Sequence, residues 1–492
     1  MEIVLLTSVI IDSGNSTKFN YPYKPVRGLG AYQLAWHLRK HNYTVQVIDF
    51  IQFFSNEEIL KAVDRYVDKT TKVIGVGLLV SPHIKTDLFK KIELLILQIK
   101  ELYPWVTIVG GGPSASQYNV IFPRKLFNYI LPGYAENSML ALCNHIIRNA
   151  PLPQFEILTT GDKVIKETVQ VTEQFNIETC THKWDKRDFI QQHESLPLET
   201  TRGCIFKCKF CAYPHIGKHK RDFIRSIDCI REELIDNYNN YKTVNYSILD
   251  DTFNSDTEKV EEFANMTKTL PFKINYATYL RLDLIEAHRH TEDMLLESGL
   301  LAPYFGIESL NPIASKLIGK AFSGKHAREY LPYLLHEVWK DQLLPFNAFI
   351  AGLPPETLDD LIETDQWCND NDIFSWGWNG LGIRIDSPSD HTSEFERNYS
   401  NYGFTTIDSA AGQTWKTDYC NGELAQTWAA ELNQRSWEKK KLGGFLALER
   451  LTLGYSIDNI RNTTYPEWEV DVDLVTKQIN WVQQYWNQLM ND

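Results

Sequence analysis

Residues 200–214 of the chain read TTRGCIFKCKFCAYP and bring three cysteines together in the pattern C-x3-C-x2-C, at Cys204, Cys208 and Cys211. A structural zinc site usually takes four ligands from two pairs of residues. No second C-x2-C pair follows here, so a zinc site would depend on His215 as its fourth ligand. Thiolates are also the usual ligands of iron–sulfur clusters. Three thiols would leave one iron of a four-iron cluster open, and we therefore predict such a cluster, with zinc as the weaker alternative.

The residues around the three cysteines suit a cluster. Gly203 allows the backbone to approach closely before the first ligand, and Phe210, beside the last ligand, offers an apolar wall. Lys207 and Lys209 carry positive charge that can offset the negative charge of a cluster. They belong to a basic run with two open interpretations, a solvated surface or a groove for an anionic substrate. Its other members are Lys218, His219, Lys220 and Arg221.

The composition is that of an ordinary globular protein. The chain has 492 residues, 43% of them hydrophobic and 23% charged, which predicts two or three domains. The formal charge of -13 disfavours bulk nucleic acid as a partner. No apolar run approaches the length of about 18 residues that a membrane-spanning helix needs. The N-terminus, MEIVLLTSVIID, lacks the marks of a signal peptide and reads as a buried strand, so we expect a cytoplasmic protein with reduced cysteines.

Residues 1–150 alternate short apolar strands with helical segments. This alternation predicts a doubly wound parallel sheet, a fold that binds ligands at the carboxyl ends of its strands. Ser81 follows the predicted strand Val73–Val80, and Gly110, Gly111 and Gly112 follow another predicted strand. Residues 151–195 are predicted to form a linker.

Residues 196–403 repeat the alternation of strand and helix, which predicts a partial (β/α)6 barrel of the TIM type. Such barrels place their chemistry at the carboxyl ends of the strands. The residues at these ends are Asp250, Asp251, Arg281, Glu308, Ser309 and Gly352. The sixth strand is predicted at Gly380–Ile385. Residues 404–492, which are rich in tryptophan and show helical spacing, are predicted to form a C-terminal helical domain.

The stretch RGC-x3-C-x-F-C after the first barrel strand resembles the motif of the radical S-adenosylmethionine (radical SAM) enzymes. The resemblance implies that Cys204, Cys208 and Cys211 bind a 4Fe-4S cluster, whose open iron takes the amino and carboxylate groups of S-adenosylmethionine. One electron from the cluster then cleaves this cofactor to methionine and a 5'-deoxyadenosyl radical. We accordingly expect an electron donor, such as a flavodoxin or a ferredoxin, as a partner.

The resemblance also implies roles for the residues at the strand ends, each of which could equally be an ordinary residue of the barrel rim. The pair Asp250–Asp251 would lie near the amino group of S-adenosylmethionine. Arg281 would face a carboxylate, and the pair Glu308–Ser309 would contact the ribose or the methionine part. Gly352, in the stretch GLPPET, would lie along the adenine.

The doubly wound segment resembles the cobalamin-binding subclass of the same superfamily through the stretches PVRGLGAYQLAWHL, VIGVGLLVSP, TIVGGGPSAS and LPGYAEN. Cobalamin domains of the methionine synthase type carry D-x-H-x-x-G, S-x-L and G-G. Here Asp12 begins D-S-G-N-S-T and Ser81 begins S-P-H, whereas the glycines are present at Gly110 and Gly111. The histidine ligand is missing, so a domain without cobalamin remains an alternative. His83 as a replacement ligand is the weaker interpretation.

The resemblance implies a cobalamin-dependent methyltransferase, in which a hydrogen atom leaves an unactivated carbon and methylcobalamin delivers the methyl group. The candidates for lining its substrate cavity are Tyr279, Tyr304, Trp376 and Trp378, which could equally be packing residues. Two alternatives remain. One is radical rearrangement, oxidation, cyclisation or epimerisation without methylation, and the other is a zinc-stabilised binding protein without turnover. The substrate is expected to be a peptide or a small metabolite.

Overall fold

The structure of the chain is a computed structural model. It describes residues 1–10, 26–80, 87–112, 115, 125–157, 161, 163–165, 172, 174–211, 223–320, 324–383, 385, 392–407 and 415–491. Several residues named above lie outside these ranges, namely Asp12, Ser81, His83, His215 and the basic residues 218–221. Within the described ranges, no helix is both long enough and apolar enough to cross a membrane.

The chain folds into two compact units. Unit 1 contains Met1–Glu194, Glu232–Lys242 and Val472–Asp492, and unit 2 contains Ser195–Arg231 and Thr243–Asp471. The segment 404–492, predicted as one C-terminal domain, is therefore shared between the units. The segment 151–195, predicted as a linker, belongs to unit 1 except for its last residue.

The described strands are β1 (Ile3–Ile10), β2 (Val45–Ile48), β3 (Val73–Val80), β4 (Thr107–Gly112), β5 (Tyr129–Pro132), β6 (Glu156–Ile157), β7 (Lys163–Val164), β8 (Leu196–Leu198), β9 (Asn245–Ile248), β10 (Asn275–Leu280), β11 (Leu300–Glu308), β12 (Phe346–Ala351), β13 (Trp376–Gly380), β14 (Thr405–Thr406) and β15 (Trp415–Lys416). The described α-helices are α1 (Leu29–Lys40), α2 (Asn56–Tyr66), α3 (Asp87–Leu102), α4 (Glu136–Arg148), α5 (Ile227–Tyr241), α6 (Thr257–Thr267), α7 (Leu282–Ala287), α8 (Thr291–Glu297), α9 (Pro312–Leu317), α10 (Gly324–Pro332), α11 (Leu358–Asp370), α12 (Glu394–Arg397), α13 (Gly422–Arg435), α14 (Phe445–Thr452), α15 (Ile457–Asn462), α16 (Tyr465–Glu469) and α17 (Val472–Asn491). A π-helical segment, Tyr333–Val338, follows α10.

The first sheet lies in unit 1 and has the strand order β2-β1-β3-β4-β5-β7-β6. All of its pairs are parallel except β6 with β7. Every residue of β2 is buried, as is typical of parallel strands with helices on both faces of the sheet. The direction of the strand order reverses between β1 and β3, and ligands of such sheets usually bind at the carboxyl ends of the strands near that reversal. The predicted doubly wound sheet is confirmed.

Helix α17 is part of unit 1 because its apolar face packs there. Trp481 and Tyr485, one turn apart, both contact Phe50, with ring centroids 5.1 and 4.9 Å away. The backbone N–H of Asp49 donates to the Tyr485 hydroxyl at 2.8 Å. The buried residues of α17 recur every three or four positions, which gives the helix a single apolar face.

The second sheet lies in unit 2 and has the order β13-β12-β11-β10-β9-β8, with every pair parallel. The predicted partial barrel is confirmed. The position predicted for its sixth strand is wrong, since β13 spans Trp376–Gly380. The physical reason is that Trp376 and Trp378 alternate with smaller residues, so that both indoles are buried on one face of the strand.

The segment after residue 404 completes the second sheet. Helix α13 lies along the edge strand β13, where the side-chain amide of Asn433 accepts from the N–H of Trp378 and donates to its carbonyl, both at 2.9 Å. An edge strand otherwise leaves such groups unpaired. Helix α14 contacts β9, β10 and β11, and its first residue, Phe445, lies 4.8 Å from the ring of Tyr279.

Candidate active site

The strands of the second sheet have an outer face that is covered by helices and an inner face that borders on space. On β11, Phe305 points outward and stacks on Trp339, with ring centroids 6.1 Å apart. Successive strand residues point to opposite faces, so Tyr304, Gly306 and Glu308 point inward. These three are partly exposed, whereas the residues between them are buried. We call the space that the inner face borders the lumen.

Asp250, directly after Leu249 at the end of β9, anchors the loop that carries the three cysteines. Its carboxylate accepts hydrogen bonds from the backbone N–H groups of Thr200 and Thr201, at 2.8 and 2.9 Å. The ammonium group of Lys259 lies 2.7 Å from the same carboxylate. Asp250 is 1% exposed. Because its acceptor capacity is used inside the protein, the structure gives Asp250 a positioning role and does not support the predicted contact with S-adenosylmethionine.

Asp251 has a different environment from its neighbour. Its carboxylate has no hydrogen-bond or ion-pair partner within the part of the chain that the structure describes; only its backbone carbonyl accepts, from the Thr252 hydroxyl at 2.7 Å. Burial, followed by the charges of Asp250 and Glu199, raises the pKa of Asp251 to about 7. The predicted contact of Asp251 with the amino group of S-adenosylmethionine stays a prediction.

The three thiols of the cysteine loop are partly exposed, in contrast to the buried thiols of Cys143 and Cys368. The backbone N–H of Cys211 donates to the carbonyl of Cys208 at 3.1 Å, which makes the second half of the loop a tight turn. Gly203 begins the loop with a φ of +78°, a left-handed conformation that favours glycine. Burial raises the pKa of the Cys204 thiol.

The groups around the thiols fit a cluster bound by thiolates. The Sγ atom of Cys204 lies 3.5 Å from the hydroxyl of Thr252, and that of Cys208 accepts from the guanidinium of Arg281 at 3.6 Å. A cationic donor such as Arg281 stabilises the thiolate form, which is the form of cysteine that binds metal. Across the described ranges, no three His, Cys, Asp or Glu side chains are arranged to hold a single metal ion. Thiolates on different irons of a cluster lie further apart than the ligands of one ion.

Arg281 connects the cysteine loop to the end of β10. Its guanidinium pairs with Asp283, with 3.0 Å between Nε and Oδ1, and lies 4.0 Å from the ring centroid of Phe206. The carboxylate that Arg281 faces in the structure is thus that of Asp283, and its contact with a cofactor carboxylate stays a prediction. Phe210 is half-buried in the same loop. Beside it, the N–H of Lys209 donates to the carbonyl of Ile318 at 2.9 Å.

The ends of β11 and β12 are joined by buried hydrogen bonds. The hydroxyl of Ser309 donates to Glu356 at 2.7 Å and accepts from the N–H of Asn311 at 2.9 Å. Burial raises the pKa of Glu356 to about 8. Glu308 has a φ of +67° and pairs with the ammonium group of Lys320 at 3.1 Å. The predicted contacts of Glu308 and Ser309 with the cofactor stay predictions.

Gly352 is a glycine because of the protein packed against it. Its φ is +95°, and a Cβ atom here would lie 2.7 Å from the Cβ of Ala425 and 3.2 Å from the indole of Trp415. The predicted approach of an adenine to Gly352 therefore has to come from another direction, and it stays a prediction.

The sequence did not point to Lys259, Lys320 or Glu356. Lys259 lies inside helix α6 and Lys320 follows α9, so neither stands at a strand end. Glu356 had a signal, because in GLPPET it is the acidic residue directly after a strand-end glycine and two prolines.

In unit 1, Gly110, Gly111 and Gly112 form the carboxyl end of β4. Gly112 has a φ of +97°, and its carbonyl accepts from the N–H of Gly133 at 3.3 Å. A Cβ atom on Gly111 would lie 3.5 Å from the carbonyl oxygen of Leu131, an ordinary contact. Packing among the described residues therefore leaves room for a Cβ atom at position 111, and the predicted ligand at this strand end stays a prediction.

Residues 198–368 match the family model of the radical SAM superfamily. This segment is a radical SAM domain. It begins at the last residue of β8 and contains β9 to β12, the three cysteines and the residues that anchor their loop. An uncharacterized methyltransferase of Pyrococcus horikoshii is 27% identical over 175 residues, which are 35% of this chain and 36% of that protein. The chain thus spans about a third of the curated relative that it matches.

Two solved structures share the fold over nearly the whole chain. The radical S-adenosylmethionine methyltransferase TsrM from Kitasatospora setae, with cobalamin and a [4Fe-4S] cluster bound, matches with a TM-score of 0.67 at 13% identity, over 98% of this chain and 99% of TsrM. Another TsrM structure contains tryptophan as substrate and a SAM analogue. The cobalamin-dependent radical enzyme OxsB, with aqua-cobalamin bound, matches with a TM-score of 0.62 at 15% identity, over 99% of this chain and 71% of OxsB.

The four aromatic residues proposed to line the cavity of the radical SAM domain fall into two pairs. Tyr279 and Tyr304 are register partners on β10 and β11 and point into the lumen. Trp376 and Trp378 are buried on the outer face of β13, where the Trp376 indole N–H donates to Asp365 of α11 at 2.7 Å. The prediction is therefore wrong for the two tryptophans, because the parity of the strand turns them toward the helices.

Proposed function

We propose that the chain is a radical SAM enzyme that binds a 4Fe-4S cluster through Cys204, Cys208 and Cys211 and methylates a carbon atom of a small molecule with the help of cobalamin. The observation that carries the proposal is the position of the cysteine loop. It follows β8 directly, at the carboxyl end of an open parallel barrel, inside the segment that matches the superfamily model.

The residues of the chain have defined tasks in this proposal. When bound, the cluster supplies the electron that cleaves S-adenosylmethionine, and cobalamin supplies the methyl group. Asp250 and Lys259 hold the start of the cysteine loop, Arg281 donates a hydrogen bond to the thiolate of Cys208, and the hydroxyl of Thr252 contacts Cys204. Helix α14 contacts three strands of the barrel, where its packing would exclude water from reactive species.

Cobalamin is proposed for unit 1. Its support is the doubly wound sheet with glycines at the end of β4 and the likeness of the fold to TsrM and OxsB, both of which have been solved with cobalamin. The absence of D-x-H-x-x-G favours a coordination without histidine from this motif. It also keeps radical chemistry without methylation as the second candidate.

Anaerobic reconstitution with iron and sulfide tests the cluster. We expect brown iron–sulfur absorbance and, after reduction with S-adenosylmethionine, formation of 5'-deoxyadenosine. Cys208→Ala should lose both signals. Cys229→Ala is the matched control, since Cys229 is also partly exposed but lies on α5, outside the loop. Cleavage that survives in Cys208→Ala would contradict the ligand assignment, and binding of one zinc ion without cleavage would refute the proposal.

Cobalamin binding is tested separately, by adding hydroxocobalamin to the full chain and measuring the bound cofactor by its absorbance after gel filtration. We expect one equivalent to remain bound. If 5'-deoxyadenosine is formed but cobalamin does not bind, the second candidate replaces methylation.

A further inference from the structure

Among the residues that the structure describes, three carboxylates lie at the lumen side of the strand ends, and two of them are neutralised. Both oxygens of Glu199 accept from the guanidinium of Arg202, each at 3.0 Å. Glu308 pairs with Lys320. Asp251 is the lumen carboxylate without an ion pair or hydrogen bond among the residues that the structure describes. A partly buried charge without a partner costs free energy, which a ligand of opposite charge would recover.

Tyr279 lies next to this carboxylate and faces open space. The register of β9 and β10, in which Ser247 pairs with Ala277, brings Leu249 beside Tyr279 and leaves Asp251 two residues further along the same strand end. Burial, followed by the charge of Asp251, raises the pKa of Tyr279 to about 12. The side chain of Tyr279 is nevertheless 40% exposed. A residue that is surrounded by protein and still accessible lines a cavity. Leu249, on the neighbouring strand end, is exposed to a similar degree.

Aromatic rings continue from Tyr279 across the inner face. The ring of Tyr304 lies 4.8 Å from Tyr279 and 4.9 Å from Phe346. Phe445, at the start of α14, lies 4.8 Å from Tyr279 and 6.1 Å from Tyr304. The hydroxyl groups of Tyr279 and Tyr304 donate to no described residue, so they are available to a ligand. Aromatic side chains pack favourably on aromatic ligands in offset or edge-to-face arrangements.

We propose that the substrate carries a planar aromatic group and a positively charged nitrogen, that Tyr279 and Phe445 contact the ring, and that Asp251 binds the nitrogen. This inference rests on the proposed function, because it assigns the lumen to the substrate. It gives Asp251 a different partner from the cofactor amino group that the family resemblance implies. The combination of one carboxylate with an aromatic wall matches a ligand site with a largely apolar lining and a few polar groups that fix orientation.

Three small probes of similar size test the chemistry on the full reconstituted chain. Phenethylamine has the ring and the charge, 3-phenylpropionate has the ring with the opposite charge, and 2-cyclohexylethylamine has the charge without the ring. Binding is measured by ligand-observed saturation-transfer NMR with titration. We expect phenethylamine to bind about tenfold or more tightly than either other probe, as one charge-assisted hydrogen bond or ring contact allows. Equal affinities, or tighter binding of 3-phenylpropionate, would overturn the proposal.

Two variants assign the contacts. Asp251→Asn should weaken phenethylamine about tenfold without weakening 3-phenylpropionate. Tyr279→Leu should weaken both phenyl probes more than 2-cyclohexylethylamine. The matched controls are Asp458→Asn, an exposed carboxylate on α15, and Tyr333→Leu, an exposed tyrosine of the π-helical segment. These controls should bind all probes as the parent chain does. Probe selectivity that is the same in Asp251→Asn as in the parent chain would also overturn the proposal.

A parallel measurement of 5'-deoxyadenosine separates this proposal from the proposed function. If Asp251 serves the substrate, Asp251→Asn changes the affinity for phenethylamine more than it changes the KM for S-adenosylmethionine. The opposite order assigns Asp251 to the cofactor and overturns the inference, while the radical SAM function stands. A parent chain that binds the probes as expected but forms no 5'-deoxyadenosine leaves the lumen site in place and refutes the proposed function.

Discussion

Each unit of the chain buries a positively charged side chain, and the two serve different purposes. In unit 1, Arg27 donates to both oxygens of Glu194, at 2.6 and 3.3 Å. It also donates to the carbonyl groups of Asp188 and Phe189, at 2.9 and 3.0 Å. Its guanidinium lies 5.4 Å from the ring centroid of Tyr485 on α17. Arg27 therefore ties together segments from the two ends and the middle of the chain.

In unit 2, the contacts of Lys259 converge on the start of the cysteine loop and on the aspartate that anchors it. Lys259 contacts Asp250 at 2.7 Å and the hydroxyl of Thr201 at 2.9 Å, two residues before the glycine that begins the cysteine loop. The comparison teaches that a buried ion pair can hold a domain together or hold a candidate metal site in place. The two cases differ in where the partners lie: those of Arg27 are spread over the two ends and the middle of the chain, whereas those of Lys259 lie at the base of the cysteine loop.

The largest effect is expected from Arg27→Met. The substitution leaves the Glu194 carboxylate buried without its partner, which should lower the free energy of unfolding of unit 1 by about 3–5 kcal/mol. Pulse proteolysis in urea, with the fragments assigned to each unit by mass spectrometry, measures the change. Lys61→Ala, which breaks an exposed pair with Glu57, is the control and should change stability by less than about 0.5 kcal/mol. Similar effects of the two variants would mean that the Arg27 cluster does not hold unit 1 together.

Lys259→Met should have a smaller effect on stability and a specific effect on the cluster. We expect unit 2 to lose about 3 kcal/mol, because Asp250 keeps its hydrogen bonds to Thr200 and Thr201 but loses its counter-charge. Iron bound after reconstitution should fall, since the loop before Cys204 loosens. Lys268→Met, which breaks an exposed pair with Glu297, should retain both stability and iron. If Lys259→Met binds as much iron as the parent chain, the ion pair between Lys259 and Asp250 is not needed for cluster binding.

The effect that is smallest per measured step concerns pH: each unit contains a buried acid whose protonation changes the stability of that unit gradually, one pH unit at a time. Burial raises the pKa of Asp49 in unit 1 from 3.8 to about 7, and that of Glu356 in unit 2 from 4.5 to about 8. At a pH between the ordinary pKa of each acid and its raised pKa, the folded state keeps a proton that the unfolded state has lost. Each acid therefore lowers stability as the pH rises, by up to about 1.4 kcal/mol per pH unit.

Between about pH 7 and 8, Glu356 continues to lower the stability of unit 2 after Asp49 has ceased to act on unit 1. Asp49→Asn should remove the contribution of this acid to the pH dependence of the free energy of unfolding of unit 1 below pH 7. It should leave the pH dependence of unit 2 unchanged. Glu356→Gln should do the reverse. Urea unfolding at pH 5, 6, 7 and 8, resolved by unit as above, checks both. If the pH dependence of stability persists in both variants, titratable groups other than Asp49 and Glu356 cause it.

Much of the fold was predictable because its signals are local. Short apolar strands that alternate with amphipathic helices indicated both parallel sheets, and the spacing of Cys204, Cys208 and Cys211 indicated the cluster site. The exceptions have physical causes. The sixth strand was predicted at Gly380–Ile385, too late in the chain, because the burial of Trp376 and Trp378 depends on helices distant in the sequence. Helix α17 was assigned to a separate domain because nothing in its own sequence says which surface buries Trp481 and Tyr485.

The sequence by itself determined the position of the cysteine loop, the succession of strands and helices, and the match of residues 198–368 to the radical SAM superfamily, since each depends on residues close together in the chain. Only the tertiary structure showed which of two adjacent aspartates is paired inside the protein and which faces the lumen. Asp250 is saturated by groups in the segment after β8 and on α6, whereas Asp251 is left in the lumen without a described partner. That difference arises because one side of the strand end is covered by protein and the other side borders on the lumen. Residues distant in the chain form both of these surroundings.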